Sequence, residues 1–177
     1  MEEKSTGYKT DEGSKILRGS ASQYFVAGEL SRRGHVAAIT AGNCPNTDIL
    51  CSNLQGSRSV HIEVKTFRPD DKTCSVGKKA EIYNGRSFFW VLVGLPEKQS
   101  DEQPKYYIIP SRRMARHVKQ SYELWLKAAG IDGAVHDPAN KIRTVALPPR
   151  RCRDHWSIRR YLNRWDLIEK KLAATRV

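Results

Sequence analysis

The run Phe88-Phe89-Trp90-Val91-Leu92-Val93 constrains the fold most. Six successive apolar residues, closed off by Gly94 and Pro96, have the length of a strand and no polar alternation. A strand without a polar face must be covered on both sides, so this chain needs a sheet with one layer above it and another below. The run is also the longest apolar stretch of the 177 residues. It falls far short of the roughly 20 residues of a membrane-spanning helix.

The surrounding periodicities supply those layers. Residues 20–33 read as a helix with Tyr24, Phe25, Ala27 and Leu30 on its apolar face and Gly34 as its stop. Residues 36–40 and 47–52 read as short strands, with a turn over 53–57. Residues 60–67 alternate with period two: Val60, Ile62 and Val64 on one face, His61, Glu63 and Lys65 on the other. A short helix is expected over 76–83, a strand over 106–109, and a helix over 111–129 carrying Met114, Val118, Tyr122, Trp125 and Leu126 inward. A weaker strand over 142–147 precedes a basic stretch and a C-terminal helix containing Trp165, Leu167, Ile168 and Leu172. The expected architecture is α/β: a mixed central sheet flanked by helices, ordered helix-strand-strand-strand-helix-strand, with a C-terminal helical extension. Residues 1–13 read as a polar lead-in and 14–177 as a single domain, with a core of about 19–130 and a basic extension of about 141–177.

Charge narrows the choice of partner. Lys plus Arg number 31 against 19 Asp plus Glu, a net charge of +12. The excess is uneven: residues 91–177 hold 18 basic and 9 acidic side chains, residues 1–90 hold 13 and 10. A basic surface of this size favours polyanions, nucleic acid ahead of a membrane. Cys44, Cys51, Cys74 and Cys152 form no CxxC pair and have no histidine at zinc-finger spacing, so they read as reduced thiols. The acidic N-terminus resembles no secretory signal, and a cytoplasmic location is expected.

The chemistry concentrates on one hairpin. Asp48 begins one strand and Glu63-Val64-Lys65 lies on the next, with Glu63 and Lys65 sharing a face about 7 Å apart. Asp48 and Glu63 placed opposite each other crowd two carboxylates, which costs energy unless a cation neutralises them. Two carboxylates with the Val64 carbonyl suit oxygen-seeking Mg²⁺, with Mn²⁺ as a substitute. Such a metal polarises a phosphoryl oxygen and acidifies a bound water, and the Lys65 ammonium orients that water or offsets charge on the phosphate. The alternative is an exposed sheet face with a Glu63–Lys65 pair and Asp48 closing the turn after Pro45-Asn46.

Asp48 and Glu63-Val64-Lys65, together with residues 19–93, resemble the PD-(D/E)xK nuclease superfamily of restriction-endonuclease-like fold, which includes Holliday-junction resolvases. The resemblance implies a metal-dependent DNA endonuclease in which Asp48, Glu63 and Lys65 are catalytic and Asp48, Glu63 and Val64 bind metal. The stretch 19–23 is similar to the family's helical G-x-x-x-E, except that Gln23 stands in place of the glutamate. An amide can orient a metal-bound water but adds no charge. Gln23 equally closes a capping box on Ser20.

The remaining candidates are nucleic-acid contacts. Lys78 and Lys79 follow the active hairpin, Arg112 and Arg113 open the long helix, and Arg150, Arg151, Arg153, Arg159 and Arg160 are interleaved with Trp156, Tyr161 and Trp165. That mixture suits phosphate neutralisation with base stacking, or else the aromatics are core and only the arginines meet water. Two further readings remain: a catalytically weak DNA-binding module, and a subunit of a larger restriction or repair complex. Cutting both strands of a duplex would favour a homodimer.

Overall fold

The computed structural model describes residues 8–42, 44–130 and 133–173. Its elements are helix α1 (Tyr8–Arg32), strands β1 (Val36–Ile39), β2 (Ile49–Ser52), β3 (Ser59–Phe67) and β4 (Thr73–Ser75), a 3₁₀ turn (Lys78–Glu81), strands β5 (Phe88–Gly94) and β6 (Lys105–Pro110), helix α2 (Ser111–Lys127), strand β7 (Thr144–Ala146), a second 3₁₀ turn (Ile158–Tyr161) and helix α3 (Asp166–Leu172).

Five strands form one mixed sheet in the order β1-β2-β3-β5-β6, and β4 pairs with β7 in a small second sheet. Only the β3–β5 pair of the large sheet is parallel, with Glu63 level with Trp90; the other pairs are antiparallel. Every residue of β5 is buried, as its unbroken apolar composition requires. One face of the sheet, carrying Ile62, Val64, Phe89 and Val91, packs against Val26 and Leu30 of α1 and Trp165, Ile168 and Leu172 of α3. The other face, carrying Phe67, Trp90 and Leu92, is covered by Met114 and Val118 of α2, by Ala80 of the first 3₁₀ turn and by Val145 of β7. A mixed sheet between helices is the α/β architecture expected from the sequence.

Three details differ from the sequence reading, and a fourth decides between two alternatives it left open. Helix α1 starts at Tyr8, within the expected lead-in; residues 1–7 lie outside the described residues. Its buried stripe is Ser22, Val26 and Leu30, while Tyr24 and Phe25 are 70% and 49% exposed. Small Ser22 lies where the helix meets the sheet, and the Thr66 hydroxyl donates to the Ser22 hydroxyl at 2.8 Å, in phase with buried Val26 and Leu30. The helix expected over 76–83 is a single 3₁₀ turn preceded by β4. Trp156, Tyr161 and Trp165 are all buried, which removes them as platforms for base stacking and leaves the neighbouring arginines as the exposed groups.

The C-terminal stretch is part of the same packing. The Asn163 amide donates to the Tyr106 carbonyl at 2.7 Å, and Leu162 bridges Tyr107, so this segment lines the free edge of β6. His117 of α2 stacks on Trp156 at 4.4 Å and bonds Asp154 through Nδ1 at 2.5 Å.

Candidate active site

The β2–β3 register pairs Ile49 with Ile62, which carries Asp48 opposite Glu63. The Asp48 amide donates to the Ile62 carbonyl at 2.9 Å, and its carbonyl accepts from Thr40 at 3.0 Å, so its backbone is fixed from both sides. The side chain is fixed as well. Asp48 Oδ2 accepts the Val64 amide at 2.7 Å, and Oδ1 accepts Gln23 Nε2 at 3.1 Å. Gln23 therefore reaches the hairpin from α1, one residue beyond the Ser22 contact that docks the helix on β3.

Glu63 is 2% exposed. Its Oε1 takes two ammonium groups, Lys65 Nζ at 2.7 Å and Lys79 Nζ at 2.5 Å. Lys65 comes from two residues along β3, as strand periodicity requires. Lys79 arrives from the 3₁₀ turn, sixteen residues on, where the β3-to-β5 crossover folds back over the sheet. A buried carboxylate is costly unless it is paired, and here two cations share it.

Arg143 secures that turn. Its carbonyl accepts the Val76 and Gly77 amides before the turn, and its guanidinium pairs with Glu81 at the end of the turn. The same guanidinium donates to the Asn140 and Ile142 carbonyls and lies over the Tyr122 ring at 3.2 Å. It is 4% exposed, the only buried arginine among the described residues. Sequence reasoning missed both the Lys79–Glu63 contact and the Arg143–Glu81 clamp. Nothing in local spacing signals either, because the partners lie 16 and 62 positions apart.

The electrostatics of Asp48 bear on what the site can hold. Burial pushes its carboxyl above the ordinary aspartate range; the Val64 amide pulls it down, and the Glu63 charge pushes it up again. Two opposed carboxylates, the Asp48 one made costlier to ionise by burial and by its neighbour, form an oxygen donor set of the kind a hard divalent cation relieves. No cluster of three or more His, Cys, Asp or Glu side chains suited to a metal occurs among the described residues, so any cation here takes its remaining ligands from backbone or solvent. Burial pushes Cys51 to about 11 and Cys74 to about 12, which keeps these two thiols protonated at neutral pH.

Of the expected site residues, the fold brings together Gln23, Asp48, Glu63, Val64, Lys65 and Lys79. Lys78 is exposed and contacts neither carboxylate. Arg112 and Arg113 are exposed and line a recess of 430 Å³ with Arg116. Arg150, Arg151 and Arg153 ring a different cavity, and Arg159 and Arg160 are exposed on the second 3₁₀ turn.

No family model matches the sequence, and no curated protein matches it. Solved structures do match in fold. One is a bacterial homing endonuclease, with a TM-score of 0.49 and 14% identity over 89% of this chain and 93% of the other. Another is a Holliday junction resolvase from the archaeal hyperthermophile Archaeoglobus fulgidus, with a TM-score of 0.40 and 15% identity over 72% of this chain and 83% of the other.

Proposed function

We propose that this protein is a metal-dependent DNA endonuclease and that the β2–β3 hairpin carries its active site. The observation behind this reading is the convergence of Asp48, Glu63, Lys65 and Lys79 from two strands and a crossover turn on one cluster. A surface ion pair does not require a glutamate 2% exposed, nor a neighbouring aspartate whose ionisation burial opposes.

In this reading Asp48, Glu63 and the Val64 carbonyl hold Mg²⁺, for which Mn²⁺ can substitute. Bound there, the ion supplies a polarised phosphoryl oxygen and an acidified water. The protein's own groups do the rest. Gln23 and the Val64 amide hold the Asp48 carboxylate in one orientation. Lys65 and Lys79 place two ammonium groups beside Glu63, where they offset negative charge growing on the phosphate as the bond breaks. Arg112, Arg113, Arg159 and Arg160, all exposed, neutralise flanking phosphates. Cleaving both strands of a duplex calls for two such sites and hence a two-fold dimer.

One observation favours a second reading. Gln23 supplies an amide, not a third carboxylate, at the closest approach of α1 to Asp48, which suits a DNA-binding module with weak catalysis. Supercoiled plasmid and branched DNA incubated with Mg²⁺, Mn²⁺ or EDTA, beside a Glu63→Gln variant, separate the two. The nuclease reading expects metal-dependent nicking that falls at least about a hundredfold in the variant, the scale of losing one electrostatic element of a site. Salt-sensitive binding by both proteins without nicking by either leaves the binding module.

A further inference from the structure

A second cavity lies apart from the carboxylates, between α2 and the β4–β7 sheet. Its volume is about 490 Å³, within the range of small-molecule sites. Val118, Trp125 and Ala146 give it an apolar interior, Ile142 lies at the exposed edge of its wall, and Arg150, Arg151 and Arg153 stand at its rim. No aspartate or glutamate lines it. The rim arginines also lack acidic partners: among the described residues none of the three forms a salt bridge, and Arg151 reaches only the His155 carbonyl at 3.4 Å. Elsewhere on the surface Arg32 and Arg164 are paired, with Glu29 and Asp166. A greasy interior beneath uncompensated cationic charge selects a flat, amphipathic anion.

We propose that this cavity binds one nucleotide of unpaired DNA, with the base against the apolar wall and the phosphate at the rim. Thr73 and Thr144 provide hydroxyls for the edge of the base. The wall residue Arg143 links the cavity to the carboxylate site: it pairs with Glu81, and Glu81 shares its 3₁₀ turn with Lys79, which contacts Glu63. An occupant that packs on Arg143 thus bears on the turn that delivers Lys79. The expected consequence is a preference for branched, frayed or bulged DNA over uniform duplex. The ligand class rests on reading the chain as a DNA enzyme, but the binding itself requires no cleavage.

The test uses the full chain carrying Glu63→Gln, a fluorescently labelled single-stranded oligothymidylate, and thymidine 5′-monophosphate or inorganic phosphate as competitors. The nucleotide should displace the oligonucleotide at concentrations where inorganic phosphate does not. Ile142 is 67% exposed, so Ile142→Glu puts a carboxylate into the wall with little risk to folding; it should weaken oligonucleotide binding about tenfold or more, the scale of one lost base contact. Thr144→Glu, at another exposed position of the wall, should do the same. Undiminished binding by both folded variants, or equal competition by inorganic phosphate, overturns the pocket. Pocket-dependent binding without cleavage by the unmodified protein sinks the nuclease reading and leaves the pocket standing. Cleavage with binding indifferent to both variants does the reverse.

Discussion

Asp48 is held in place against its own electrostatic preference. Burial, the largest influence, and the Glu63 charge both raise its pKa, so the folded protein binds that proton more tightly than the unfolded chain does. The stability this contributes is fully present below the ordinary aspartate range and is lost as pH rises through the raised value. Asp48→Asn removes that loss while keeping an oxygen for the Val64 amide. In metal-free buffer the variant should have a higher melting temperature than the parent at neutral pH, with the difference shrinking on acidification, and with Mg²⁺ added it should show no cleavage where the parent cuts; a lower melting temperature at pH 7 counts against a carboxylate kept for function. Gln23→Glu probes the same balance from the helix. A third carboxylate beside Asp48 should lower the Mg²⁺ concentration for half-maximal cleavage by about tenfold or more and reduce thermal stability in EDTA. Titrating activity and melting temperature against Mg²⁺ checks both.

At the scale of elements, Gly94 closes β5 opposite Phe67 of β3, and a Cβ built there would lie 2.6 Å from the Phe67 ring. That ring is 8% exposed and has little room to swing aside. Gly94→Ala should therefore cost about 1–3 kcal/mol, read as a shift of the urea midpoint at unchanged slope. The strands themselves were legible. Alternation in Val60 through Lys65 marks the apolar face packed beneath α1, and the unbroken run Phe88 through Val93 marks a strand covered on both sides; that Glu63 on the other face of β3 is buried as well was not legible. The phase of α1 was not, because large aromatics at 24 and 25 suggest an inward face that small Ser22 occupies instead. The crossover was misread for a related reason. Lys78–Glu81 is held by the distant Arg143, so local periodicity exaggerates a single 3₁₀ turn into a helix. Of the hairpin cluster, Asp48, Glu63 and Lys65 could be read from strand spacing, whereas the part Lys79 plays depends on that crossover.

Across the whole molecule, the proposed function makes the net charge of +12 the main determinant of DNA affinity. Each phosphate neutralised should contribute about −0.9 to the slope of log affinity against log salt concentration. Reversing Arg112 and Arg113 to glutamate should flatten that slope by about 2 if both contact backbone, and an unchanged slope removes α2 from the interface. Among the described residues no helix is long and apolar enough to cross a membrane. The meeting of α1 with α3 has a further consequence. Trp165, Ile168 and Leu172 pack against Val26 and Leu30, and Arg33 pairs with Glu169 136 positions later at 3.1 Å. A chain emerging from the ribosome can seat α1 on β1, β2 and β3 early, but the part of that face that α3 covers stays open until residues near 172 have been made. Vectorial synthesis thus favours the α1 platform that carries Gln23 to the carboxylates before the covering helix α3 closes the same face.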